Sequence, residues 1–204
     1  MTKLGILLSG RGSNFIAIAE RITSGKLKDC EIAVVLSNRA EAAGLKAAQE
    51  RGLKAIAIEA NGRKRAEHDE AIVAALREHK VDLVILAGYM RLLSPGFIAA
   101  YPQRILNIHP SLLPAFPGLD AQQQAFEYGV KLAGCTVHFV DEKLDHGVMI
   151  AQRVVAVEET DDAATLSQRI LEQEHEAYAE AIGKVLSNEY QIEGRRYVRR
   201  PRAK

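Results

Sequence analysis

The sequence predicts an α/β fold with a single doubly wound, mostly parallel sheet that carries helices on both faces. Short apolar runs alternate along the chain with segments of helical periodicity. These runs are apolar throughout rather than alternating in polarity, which is typical of parallel strands covered on both sides. The βαβαβα order of the first half favours right-handed crossovers, which place helices on both faces of the sheet.

Each element follows from a local pattern. The strands predicted from continuous apolar runs are Leu4–Leu8, Ile32–Leu36, Ala55–Ile58, Leu83–Ala87, Ile105–Ile108, Val130–Val140 and Val148–Val157. The helices predicted from helical spacing are Ser13–Ile22, Ala42–Gln49, Arg65–His79 and Thr160–Leu186. Residues 88–95 and 110–118 are rich in turn residues and are expected to be ordered loops.

Composition narrows the class of protein. The 204 residues include 27 Lys and Arg against 26 Asp and Glu, a net charge of +1. This balance argues against a polyelectrolyte binder or a charged membrane surface as partner. We expect one domain over residues 1–194. Residues 195–204, of which six are Arg or Lys, are expected to form a basic tail or an edge strand guarded by charge.

The sequence also indicates the compartment. Cys30 and Cys135 have no metal-binding or redox spacing, and we expect buried, reduced thiols. The chain has no apolar run near the roughly 18 residues of a membrane helix, and no export signal. The six histidines form no HxH or HxxxH pair, so no metal site is expected. A cytoplasmic protein is predicted.

The first candidate site is the glycine loop of residues 9–14, which joins the first strand to the first helix. Glycines let the backbone approach a ligand closely, and a helix N-terminus offers N–H groups to an anion. Phe15 stands where a dinucleotide-binding motif has its third glycine, and the P-loop lysine is missing. The loop therefore favours a single phosphate, with a tight turn and helix cap as the alternative.

The second candidate site lies at the end of the fifth strand. Asn107 and His109 are two residues apart in the predicted strand, so their side chains lie on the same side of it. An amide and an imidazole placed there could stabilise an oxyanion and transfer a proton. Asp145 lies in a later loop, and nothing local places it beside His109. A structural histidine and a turn aspartate are the alternatives, so the residues alone predict a candidate phosphate-handling α/β enzyme.

Four segments together resemble a known family. Residues 9–14, 86–91, 107–114 and 144–147 are similar to those of the folate-dependent formyltransferases, in the branch that acts on phosphoribosylglycinamide. The resemblance runs from about Leu4 to the last long helix and implies a Rossmann-like fold. It implies transfer of the formyl group of 10-formyltetrahydrofolate to the amine of phosphoribosylglycinamide in purine biosynthesis, with tetrahydrofolate as the second product.

The resemblance also implies residue roles. Catalysis is assigned to Asn107, His109 and Asp145. The phosphorylated amine is assigned to Arg11, Gly12, Ser13, Asn14, Arg65 and Glu174. The folate is assigned to Tyr89, Met90, Arg91, Leu92, Leu93, Val140, Asp141 and Leu144. Without the resemblance, Glu174 would be interpreted as a solvated residue and His138 as an ordinary strand histidine. Asp120 stands where some relatives carry His and receives no role.

The expected partners are small molecules, with no nucleic acid, no membrane and no metal, in a monomer or homodimer. The main alternative is a formyltetrahydrofolate deformylase without its regulatory domain. Methionyl-tRNA formyltransferase is disfavoured because the chain has Phe116-Pro117-Gly118 in place of Arg-Gly-Ala and only about 18 residues after the last long helix. RNA binding by the basic segment is also disfavoured, since one aromatic residue accompanies its six cations.

Overall fold

The computed structural model describes residues 1–201 and has an α/β fold with a mixed, mostly parallel sheet of nine strands, as predicted. The strands are β1 (Thr2–Leu8), β2 (Cys30–Ser37), β3 (Ala55–Ala57), β4 (Leu83–Leu86), β5 (Ile105–His109), β6 (Leu132–Phe139), β7 (Met149–Ala156), β8 (Tyr190–Glu193) and β9 (Arg196–Arg199). The helices are α1 (Ser13–Thr23), α2 (Ala43–Glu50), α3 (Arg65–Glu78), α4 (Pro95–Ala100), α5 (Ala121–Tyr128) and α6 (Ala163–Leu186).

The chain divides into two compact units. The first unit comprises residues 1–107 and the second begins at Ile108, so that the boundary falls inside strand β5. Asn107 is therefore the last residue of the first unit, and His109 is the second residue of the other.

The first unit is built around strand β1, whose apolar side chains are almost fully buried. Its strands follow the order β3-β2-β1-β4-β5, and every pair is parallel. A Cβ atom on Gly5 would lie 2.5 Å from Leu76 of helix α3, which shows how closely that helix packs on the sheet. Because the strands are parallel, the loops that follow β1 and β4 leave the same edge of the sheet, the usual place for a ligand site.

The second unit is organised by an antiparallel pair and a long helix. Strands β6 and β7 pair from Leu132 with Ala156 to His138 with Met149. Helix α6 packs on this pair and buries an apolar stripe that contains Leu166, Ile170, Ala177 and Ala181. The helix was predicted from Thr160 but begins at Ala163. The reason is that the Asp162 side chain caps it, accepting a hydrogen bond of 2.8 Å from the N–H of Thr165.

Four elements differ from the sequence predictions: helices α4 and α5, and strands β8 and β9. Helices α4 and α5 were not predicted, because six and eight residues give too few turns for a clear apolar period. Residues 196–199, expected as a tail or an edge strand, form strand β9, which pairs in parallel with β7 and antiparallel with β8. The outer position belongs to β8. Strand β9 tolerates its cations because Arg196 and Arg199 are exposed and ion-paired with Glu193 and Glu189.

Candidate active site

The glycine loop of residues 9–14 is held rigidly in the first unit. Gly12 has φ 74°, the left-handed conformation that glycine adopts without strain, and it precedes helix α1. Gly12 has no side chain and so makes no side-chain cap hydrogen bond to the start of α1. The buried Ser9 hydroxyl donates to Asn38 Oδ1 at 2.6 Å and accepts from the N–H of Met90 at 2.8 Å. The loop is thus tied to the segment that follows β4.

The substrate residues predicted in this unit differ in exposure. Gly12 and Asn14 are buried, Ser13 is half-buried, and Arg11 is exposed. Arg65 is exposed as the first residue of helix α3. An exposed arginine at that position is compatible with the predicted charge partner, and its role stays a prediction.

The loop after β4 carries the predicted folate residues of the first unit. The large apolar side chains of Met90 and Leu92 are 65% and 57% exposed, whereas Arg91 and Leu93 are half-buried. Tyr89 is buried, and burial followed by the nearby Asp69 carboxylate raises the pKa of its hydroxyl, which stays neutral. Leu92 is therefore exposed and does not pack in the core.

A buried carboxylate on helix α3 anchors the far end of this loop. Asp69 is 1% exposed and accepts a hydrogen bond of 2.6 Å from the N–H of Ser94. The Ser94 hydroxyl in turn accepts from the N–H of Phe97 and caps helix α4. Asp69 was not predicted as a residue that supports the site. A single carboxylate within a charged helical segment gives no sign in the sequence that it is buried.

The second unit brings His109, Asp145 and His138 together. The Asp145 carboxylate lies 3.4 Å from His109 Nδ1 and 3.8 Å from His138 Nε2. All three side chains are less than 9% exposed. Asp145 also accepts a hydrogen bond of 2.8 Å from the N–H of Gly118. The approach of Asp145 to His109, which the local sequence could not establish, is present at ion-pair distance.

Hydrogen bonds to backbone carbonyls assign the proton positions of both rings. A carbonyl oxygen only accepts, so His109 Nε2, 2.8 Å from the Phe116 oxygen, carries a proton. By the same argument His138 Nδ1, 2.7 Å from the Phe139 oxygen, is protonated. Burial lowers the pKa of His138, outweighing the Phe139 carbonyl and the Asp145 carboxylate, which raise it. His138 is therefore a neutral neighbour of the Asp145 carboxylate.

The loop of residues 141–147, here the Asp145 loop, has a tightly constrained backbone. Asp145 has φ 47°, which is uncommon for a residue with a side chain. A Cβ atom on Gly147 would lie 1.8 Å from the Phe139 oxygen, so only glycine fits there. Of the predicted folate residues in this loop and before it, Leu144 is exposed, while Val140 and Asp141 are half-buried. Burial opposes ionisation of Asp141, but the hydrogen bonds from His146 and from the N–H of Lys143, together with the neighbouring imidazoles, outweigh it, and the pKa of Asp141 is lowered.

Glu174 lies on helix α6 and is 6% exposed. The interpretation as a solvated residue, which its sequence alone favoured, is therefore wrong. Burial, followed by the Glu174 carboxylate, raises the pKa of the Cys135 thiol to about 12, so that Cys135 is an inert buried thiol. Asp120 precedes helix α5 with φ 55° and is exposed.

Comparison with known proteins identifies the family. The model of the formyl transferase family matches residues 2–182. The chain belongs to the formyl transferase family. A phosphoribosylglycinamide formyltransferase of Bacillus subtilis is 42% identical over 187 residues, which cover 91% of this chain and 95% of the relative. The trifunctional purine biosynthetic protein adenosine-3 of Homo sapiens is also 42% identical, over 93% of this chain and 19% of its own length.

Solved structures agree with this family assignment. Glycinamide ribonucleotide transformylase 1 from Symbiobacterium toebii superposes with a TM-score of 0.95 at 47% identity, covering 98% of this chain and 94% of that one. A phosphoribosylglycinamide formyltransferase from Anaplasma phagocytophilum superposes with a TM-score of 0.90 at 40% identity, covering all of this chain and 96% of that one. The fold of this formyl transferase is therefore that of its solved relatives.

Two other kinds of feature, a metal-binding group and a membrane-spanning helix, are not found in residues 1–201. Within that range, no group of three or more His, Cys, Asp or Glu side chains is arranged to hold a metal ion. None of the helices in the same range combines the length and the apolar character needed to span a bilayer.

Proposed function

We infer that this formyl transferase is a phosphoribosylglycinamide formyltransferase, which transfers a formyl group from 10-formyltetrahydrofolate to the amine of phosphoribosylglycinamide in purine biosynthesis. One observation carries the inference: the buried contact between His109 and Asp145 occurs in a chain that is 42% identical to a full-length relative of that activity. The reaction makes small-molecule substrates the natural partners of the chain.

The reaction sets three chemical demands. The amine nitrogen forms a bond to the formyl carbon, and the bond from that carbon to the folate nitrogen breaks. Between these events the formyl oxygen carries negative charge, which hydrogen-bond donors must stabilise. The amine loses a proton and the folate nitrogen gains one.

We assign the oxyanion to the Asn107 amide and to His109 Nε2–H. Because Nε2 already carries its proton, the ring is in the tautomer that donation requires. To donate to the oxyanion, His109 must give up its hydrogen bond to the Phe116 carbonyl. Asp145 fixes the ring from the Nδ1 side and stabilises positive charge that develops on it as protons move.

The phosphate of the amine substrate is assigned to the glycine loop. The N–H groups at the start of helix α1, from Ser13 and Asn14, suit an anion. Gly12 brings the backbone close to it, and Arg11 and Arg65 supply positive charge. Glu174, whose carboxyl group is buried on helix α6, is assigned to the substrate amine, as the family resemblance implies.

The donor is assigned to two loops, each in its own unit. A pterin ring is flat, apolar on its faces and hydrogen-bonding at its edge, and it supplies the formyl group to be transferred. The exposed apolar side chains of Met90, Leu92 and Leu144 suit its faces. The remaining assignments in these loops are Tyr89, Arg91, Leu93, Val140 and Asp141.

The test is a direct comparison of transfer with hydrolysis. Purified protein is given 10-formyltetrahydrofolate with and without phosphoribosylglycinamide, and both formylated amine and free formate are measured. We expect formylated amine as the product and little formate without the amine. Formate release that is dominant and independent of the amine would identify a deformylase instead.

A variant tests the catalytic assignment in the same assay. Asn107→Ala removes one oxyanion donor, and we expect kcat to fall about 10²- to 10³-fold, with the thermal unfolding midpoint close to that of the wild type. A kcat within threefold of the wild type would refute the role of Asn107.

A further inference from the structure

The hairpin of strands β8 and β9 contacts residues that flank the Asp145 loop on both sides. Strand β9 pairs with β7 through Arg196 and Met149, two residues beyond the loop. The Tyr197 ring packs edge-on against Phe139, which precedes the loop, with centroids 5.4 Å apart. The residues that were expected to form a basic tail or an edge strand are thus part of the surroundings of a predicted catalytic residue.

Arg195, in the turn of the hairpin, binds the loop through His146. Its Nη2 donates to the His146 carbonyl oxygen at 2.6 Å, and its Nη1 lies 3.1 Å from His146 Nε2. His146 Nδ1 lies 2.7 Å from Asp141 Oδ2 and must donate to it, because a carboxylate only accepts. Nε2 of the neutral ring then accepts from Arg195. Each of these contacts, from Arg195 through His146 to Asp141, therefore pairs a donor with an acceptor.

The loop needs such support. Asp145 holds a left-handed backbone conformation that its surroundings must maintain, and His146 is the next residue along the chain. A displacement of about 1 Å in a catalytic group can cost about 10²-fold in rate. The hydrogen bond from Arg195 fixes the carbonyl of His146, the residue after Asp145. It therefore acts at a position where a small movement affects the rate.

We propose that Arg195 is a positioning residue, which acts through His146 to hold the Asp145 loop in the conformation that brings Asp145 to His109. Its catalytic consequence depends on the function proposed above. The family model ends at residue 182, so membership of the family does not by itself supply this support. The loop contacts themselves lie within the second unit of this chain.

The test compares Arg195→Ala with Arg196→Ala. Both remove one positive charge from the same hairpin, but Arg196 pairs only at 3.8 Å with Glu193 and is largely exposed. In Arg195→Ala we expect hydrogen exchange of the amides in the Asp145 loop to accelerate about tenfold. We also expect kcat/KM for the formyl donor to fall about tenfold, through a higher KM and a lower kcat, while KM for the amine substrate stays unchanged. Arg196→Ala should match the wild type in each measurement.

Two further variants separate positioning from general stability. Arg195→Lys, which keeps the charge, should recover part of the loop protection. In a His146→Ala background, Arg195→Ala should add less than it does alone, because the two residues act in series. Faster exchange spread evenly over the whole chain would overturn the proposal, since it would indicate a role in global stability.

Hydrogen exchange distinguishes the failure of this inference from the failure of the proposed function. If the wild type transfers formyl groups but Arg195→Ala and Arg196→Ala behave alike, Arg195 is not a positioning residue. If Arg195→Ala selectively loosens the loop in a protein that transfers no formyl group, the positioning role stands and the proposed function is wrong.

Discussion

Replacing Asp145 by asparagine tests the pairing of His109 with a buried carboxylate. The asparagine is nearly the same size, and its side-chain oxygen can still accept from the N–H of Gly118, so the loop should keep its conformation. What is lost is the negative charge 3.4 Å from His109 Nδ1.

The distance sets the scale of the effect. With an effective dielectric constant of about 20, two unit charges 3.4 Å apart attract by about 5 kcal/mol. This figure is a ceiling, because neighbouring dipoles relax and the asparagine dipole replaces part of the lost field. A loss of about 3–4 kcal/mol corresponds to a fall of about 10²- to 10³-fold in kcat.

The assay is the rate of formyl transfer with both substrates saturating, beside the unfolding midpoint of each variant. Glu142→Gln is the matched control, since it removes one negative charge from an exposed position of the same loop. A folded Asp145→Asn variant with a kcat within threefold of this control would refute the reasoning, because the charge at Asp145 would then contribute nothing to the transition state.

Three other predictions follow from the structure. Gly147→Ala places a Cβ atom 1.8 Å from a carbonyl oxygen and should lower kcat/KM for formyl transfer about 10²-fold. Gly96→Ala is the control: its Cβ atom meets no atom closer than 3.9 Å, and it should match the wild type in the same assay. Asp69→Ala leaves the buried N–H of Ser94 unpaired and should cost about 1–3 kcal/mol in urea unfolding and raise the KM of the formyl donor, with Asp69→Asn less affected. The folded-state pKa of His138 lies below its ordinary 6.5, so the unfolded chain takes up that proton first as the pH falls. The free energy of unfolding should therefore decrease as the pH drops below about 7. His138→Gln should reduce this pH dependence in unfolding measured from pH 7 to pH 5.

Local patterns predicted most of the first unit. Parallel strands buried on both faces leave a continuous apolar run. The bounds of β1, β2 and β4 agree with those of the predicted runs to within two residues at either end. Glycine at the β1–α1 turn is likewise visible in the sequence, since a left-handed residue at position 12 is needed locally.

The second unit depended more on contacts between distant residues. Asp145 reaches His109 across 36 positions of sequence, and only the resemblance to a family suggested it. Glu174 has charged and polar neighbours in sequence, and its burial is decided by what helix α6 packs against. Arg195 was expected in a basic tail or an edge strand, because a run of cations gives no sign that one of them bonds a loop 49 residues away.

In the proposed mechanism, the hydrogen bond from His109 to the Phe116 carbonyl limits what the ring can contribute to the rate. Before substrates arrive, the carbonyl keeps the imidazole oriented, so no free energy is spent on ordering it during the reaction. The cost is that the transition state gains only the difference between a hydrogen bond to a charged acceptor and one to a neutral acceptor, about 1–1.5 kcal/mol. When the oxyanion collapses, the carbonyl recovers its donor, and the same competition that restrains the ring favours departure of the product.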